Sequence, residues 1–151
     1  MQLAAFEIQR RTPMTRQEQA LKLHNEGYNC AQCVACVFND ILNEDERLLF
    51  RMTEAFGAGM GCTKTCGAVT AMGVVIGLLT SDGNMEKPAT KGKSYRLMRE
   101  SIKEFEEKNK SVICRELKGI DTGKVLRSCN GCIADAVEIL EKKMLSEEVT
   151  E

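Results

Sequence analysis

Eight cysteines carry most of the chemistry that this chain of 151 residues can offer. They are grouped: Cys30, Cys33 and Cys36 form CAQCVAC, Cys62 and Cys66 flank the end of a glycine-rich stretch, and Cys129 and Cys132 form CNGC. Cys114 stands alone before that last pair. As a thiolate, cysteine attacks, is oxidised or binds metal; as a thiol, it fills a core. Grouping favours the thiolate uses, since a disulfide or a metal shell needs several sulfurs within reach. His24 is the single histidine. It is read as a helix-end residue rather than a ligand, which leaves no support for Ser–His–Asp chemistry or an HExxH zinc site.

The rest of the chain narrows the setting. The N-terminal MQLAAFEIQRR has its charges after the apolar residues and does not read as a secretory signal. The longest apolar stretch, Gly67 to Leu79, is too short and glycine-rich to insert in a membrane. A cytoplasmic, reducing location is therefore expected, where disulfide staples are rare. A net charge of −1 offers no basic field for nucleic acid or an anionic membrane surface.

Helical signals position the cysteines. Thr15, with Glu18 as capping-box partner, opens a helix carrying Ala20, Leu21 and Leu23 and closing at Gly27. Asn29 caps a second helix over 30–42, with Val34, Phe38, Ile41 and Leu42 inward. Asn43 opens a third over 44–56, and GAGMG (57–61) must be a tight loop. From about Thr65 the chain re-enters a helix that is apolar on nearly every side, the expected centre of a bundle. A charged helix runs from about Ser94 to Asn109, with Glu104–Lys108 as a surface pair. The last helix begins near Ser128 and carries Ile133, Val137, Ile139 and Leu140. No period-two alternation, linker or repeat is visible. The expected fold is an all-α, single-domain helical bundle over 15–145, between an N-terminal segment (1–14) and a polar tail (146–151).

Three of the cysteine groups thus start helices, where free N–H groups and the helix dipole stabilise a thiolate. Lys64 is expected to help at Cys66. At about 100° per residue, Cys30 and Cys33 share one face while Cys36 lies about 120° from Cys30 and turns toward the core. Gly59, Gly61 and Gly67 supply bare backbone that could approach a cofactor or substrate closely. Other motifs fail on context. Neither CxxC is followed by histidine, so there is no haem c attachment site. KPATKGKS lacks the first Walker A glycine, and GAGMG follows a helix where a dinucleotide fold needs a strand.

Taken together, GYNCAQ, GAGMGCTKTCGAVTA, CRELKG and CNGCIADAVEIL resemble a redox-active family named for its pattern, C_GCAxxG_C_C. The likeness covers roughly residues 15–145, and the glycine loop running into Cys-Gly-Ala is its most specific part. Carried over, the four characteristic cysteines are Cys30, Cys66, Cys114 and one of the final pair, Cys129 being preferred to Cys132. Ala71 stands where the pattern has glycine. The resemblance implies redox activity without a defined reaction. A weaker similarity, to the non-haem part of split-Soret cytochromes, implies an iron–sulfur centre.

Three functions follow in order. The first is thiol–disulfide exchange or electron transfer through a clustered site drawn from Cys66, Cys62, Cys30, Cys114, Cys129 and Cys132, with Cys66–Cys62 or Cys129–Cys132 as the pair. The second is a cysteine-ligated metal centre, an iron–sulfur cluster or structural zinc on Cys30, Cys66, Cys114 and Cys129. The third is a helical interaction module with core cysteines. The sequence does not name the redox partner, and the apolar central helix could be buried within one chain or in a homo-oligomer.

Overall fold

The computed structural model describes residues 13–145; most of the expected N-terminal segment and the polar tail lie outside the described residues. Helix α1 spans Arg16–Asn25, opened by the reciprocal Thr15–Glu18 capping box. Helix α2 spans Cys30–Cys36, and Asn29 caps it through a second box with Gln32. The sequence predicts one helix over 30–42, but the structure breaks it and resumes as α3, Asn39–Leu42. A tertiary contact accounts for the break. Arg16 donates to the Val37 carbonyl, its guanidinium lies 4.9 Å from the centre of the Phe38 ring, and it pairs with Asp40 at 2.8 Å. The rotation leaves Ile41 exposed rather than inward.

Asn43 adopts a left-handed conformation that ends α3, so α4 starts later than expected, at Glu46–Thr53, with Asp45 as its cap. The chain tightens into a 3-10 turn, Glu54–Phe56, and then an irregular turn, Gly59–Thr63. Thr65 stays extended, so α5 begins at Gly67 and runs to Thr80. Helix α6 spans Lys91–Asn109, α7 spans Cys114–Leu117, and α8 spans Cys129–Leu145.

The fold is all-α, with no strand among the described residues beyond an isolated Thr65–Ile113 bridge. Helix α5 packs against α2, α6 and α8 and buries Ala68, Val69, Ala71, Met72, Val75 and Ile76. Burying each larger side chain contributes about 1.5–3 kcal/mol. That makes the α5 surface the main hydrophobic anchor for the helices that carry cysteines. No described helix is long and apolar enough to cross a membrane.

Candidate functional site

Backbone pairing fixes two of the cysteines side by side. The Cys66 N–H donates to the Val112 carbonyl at 2.8 Å, and the Cys114 N–H donates to the Lys64 carbonyl at 2.6 Å. Two glycines allow the approach. Gly59 has φ +61°, and a Cβ there would lie 2.7 Å from the Cys114 Cβ and from the Lys64 nitrogen. A Cβ on Gly67 would lie 2.5 Å from the Cys30 sulfur and 2.7 Å from the Phe56 carbonyl oxygen. Gly61 faces open space instead, so it presents no such close approach. Ser128 opens α8, its hydroxyl accepting from the Gly131 N–H at 3.0 Å. That cap sets Cys129 and Cys132 on the first turn.

The result is a cavity of about 30 Å³ walled by Cys30, Cys66, Cys114, Cys129 and Cys132. These come from the starts of α2, α5, α7 and α8. All eight cysteines are free thiols. Cys62 is exposed, its sulfur facing the Gly59 carbonyl at 3.6 Å, and it takes no part in the wall. Cys33 does not follow Cys30 into the cavity despite their common face; it points at the Tyr28 carbonyl, 3.7 Å away. Cys36 is buried beside the Glu46 carbonyl at 3.8 Å. Burial pushes both of these thiols up to about 12, which keeps them neutral.

Cys66 behaves oppositely. The neighbouring Cys132 thiol is the largest influence on it and pulls it down to about 7, against the cost of its burial. The Ala68 and Val69 N–H groups and the charge of Lys118 act in the same direction. Cys132 is pushed far up, by Cys66 first and by burial second. On losing its first proton the pair shares the one that remains, with Cys66 the favoured carrier of the charge. Cys30 and Cys114 are both raised, chiefly by burial. The cation near Cys66 is Lys118 and not the expected Lys64, whose backbone instead carries the pairing with Cys114.

A second group completes the wall. Arg127 borders the cavity and is held by Asp135 through two hydrogen bonds, at 3.0 and 3.1 Å. Asp135 is buried and also receives Asn109 at 3.1 Å and Lys108 at 3.0 Å. Lys108 is thus committed to Asp135 and Glu138, while Glu104 pairs with Lys143, which replaces the expected Glu104–Lys108 pair. Burial raises the Asp135 carboxyl, but its three donors outweigh that and hold it below 3.8. A depressed carboxylate contributes stability above its unfolded pKa and loses it as pH falls through the folded one. Asp135→Asn should accordingly cost about 1–3 kcal/mol at pH 7. It should not cost more, because the Arg127 and Lys108 side chains are 41% and 47% exposed and can rehydrate. Urea titrations at pH 7 and well below pH 3.8 should show the two proteins converging in acid; a constant difference would contradict the carboxylate's role.

Residues 28–143 match the model of a family described as "Putative redox-active protein (C_GCAxxG_C_C)". The chain belongs to the C_GCAxxG_C_C family. The match spans every cysteine of the cavity wall, from Cys30 to Cys132. No curated protein and no solved structure matches the chain. For this family member, a tetrathiolate on Cys30, Cys66, Cys114 and Cys129 has suitable donor chemistry. Its spacing does not fit, since among the described residues no three His, Cys, Asp or Glu side chains are grouped to hold a metal ion. Sequence reasoning missed the Cys66–Cys132 juxtaposition, Lys118 and the Arg127–Asp135 pair. Asp135 left one signal: it is an acid set among the apolar residues Ile133, Ala136 and Val137 of α8.

Proposed function

We propose that this chain is a two-electron thiol redox protein whose exchanging pair is Cys66 and Cys132. The observation that carries the reading is that these two buried thiols stand in one wall of five cysteines, with Cys132 the largest influence lowering Cys66. That arrangement supplies a thiol with a lowered pKa and a second sulfur in the same wall. With an external disulfide RS–SR, the Cys66 thiolate attacks one sulfur, forming a mixed disulfide and releasing RS⁻. Cys132 gives its proton to that RS⁻. Its sulfur then attacks Cys66, closing the Cys66–Cys132 disulfide and releasing the second RS⁻. Two electrons pass to the acceptor. The exposed position of Cys62 outside the cavity favours Cys132 over Cys62 as the partner of Cys66.

Anaerobic equilibration in a dithiothreitol redox buffer, followed by quenching and disulfide mapping, tests this. The expected product is Cys66–Cys132, lost in Cys66→Ser and in Cys132→Ser and kept in Cys62→Ser. A map dominated by Cys62–Cys66 or Cys129–Cys132, or no disulfide at all, would overturn it. The five-thiol wall supplies the donors for a second reading, a cysteine-ligated metal centre, for which the sulfurs would have to draw closer than they stand here. Stoichiometric zinc, or iron with sulfide, in anaerobically purified protein would favour that alternative if Cys30→Ser and Cys114→Ser abolish it.

A further inference from the structure

The working thiols lie deep. Cys66 and Cys132 are 6% and 3% exposed, and the cavity they border, open on one side, holds about 30 Å³. One water needs about 10–15 Å³, so the space admits a molecule of two or three heavy atoms. At 6% exposure Cys66 offers a bulky organic disulfide little surface for in-line approach, so rapid oxidation there favours a small oxidant. The cavity is also bordered by two cations, Lys118 and Arg127, and Arg127 is fixed by its two bonds to buried Asp135. Positive charge held beside a thiolate stabilises negative charge that develops on a departing oxygen.

From this geometry we propose that hydrogen peroxide is the rapid oxidant of the site, selected by size. The inference rests on the Cys66–Cys132 reading and adds a substrate to it. The Cys66 thiolate attacks one peroxide oxygen; an S–O bond forms, the O–O bond breaks, and hydroxide leaves. That hydroxide takes the proton of Cys132 and becomes water. The Cys132 thiolate then attacks the Cys66 sulfenic acid, forming the disulfide and expelling a second hydroxide, which takes a proton from solvent. Peroxide gains two electrons, the two sulfurs lose them, and an external dithiol returns them later.

The test is single-turnover oxidation of the reduced full chain under anaerobic conditions, with hydrogen peroxide or with cumene hydroperoxide. The ratio of the two rates is compared with that of the urea-unfolded chain. The folded protein should prefer hydrogen peroxide by at least about tenfold more than the unfolded chain does. Its product should be the Cys66–Cys132 disulfide. In Cys132→Ser, sulfenic acid should accumulate on Cys66, trapped by dimedone added with denaturant. Equal rate ratios in the folded and unfolded chains, or oxidation confined to Cys62 or Cys129, would overturn the proposal. If the pair still forms in dithiothreitol buffer, only the peroxide assignment fails; if it forms with neither, both readings fail.

Discussion

Replacing Cys132 by alanine should move the ionisation midpoint of Cys66 from about 7 back toward the ordinary 9.0. Cys132 is the largest influence lowering it, and burial then acts without that opposition. Serine keeps a donor and should give an intermediate value. The rate of alkylation at pH 7 is the weaker readout. The thiolate fraction at pH 7 falls as the midpoint rises, but a thiolate of higher pKa is intrinsically more nucleophilic, so the rate drops by less than the fraction does. The midpoint of the pH–rate curve is free of that compensation. It is best measured in a Cys62→Ser background, because Cys62 is exposed and would react first. An unmoved midpoint in Cys132→Ala would mean that the helix start and Lys118 alone hold the charge.

Gly67→Ala and Gly77→Ala should shift stability in opposite directions although both glycines lie in α5. Propensity alone favours alanine at either position, by up to about 1 kcal/mol. At Gly77 nothing lies within 4 Å of the added carbon, so that gain should appear. At Gly67 the carbon would meet the Cys30 sulfur at 2.5 Å and the Phe56 carbonyl oxygen at 2.7 Å. The oxygen is backbone and cannot swing away, so one wall of the cavity must shift. Overpacking of this kind costs about 1–3 kcal/mol and outweighs the propensity gain. Urea unfolding of the reduced proteins should place Gly67→Ala below the parent and Gly77→Ala at or above it. Equal midpoints for the two variants would show that the Cys30 approach is not tight.

How much of this was legible in the sequence depends on the range of the interactions. Caps at Thr15 and Asn29, the apolar run of α5 and the burial of Cys36 follow from neighbours within a turn or two, and the sequence displays them. The break in the 30–42 helix was hidden because its agent, Arg16, sits about twenty residues away. Nearness in sequence also placed the Lys64 backbone beside Cys114, while the cation that lowers Cys66 is Lys118, about fifty residues away. The wall residues Cys30, Cys66, Cys114 and Cys129 could be picked out by motif. Which sulfurs face one another depends on how α8 packs against α5, and no local spacing encodes that.

The sequence distance between the Cys66 and Cys132 sulfurs has its own thermodynamic consequence. A Cys66–Cys132 bond closes a loop of roughly 66 residues, nearly half the chain. On the chain-entropy account, such a cross-link stabilises the folded state by about 4 kcal/mol. Linkage makes the effect reciprocal. The folded bundle holds the bond against reduction by the same amount, equivalent to about 90 mV in midpoint potential. Heat, urea or a destabilising substitution therefore acts on the redox equilibrium without touching either sulfur. As the bundle loosens, the proposed disulfide would become easier to reduce, so the potential of the pair would report the conformational integrity of the whole chain.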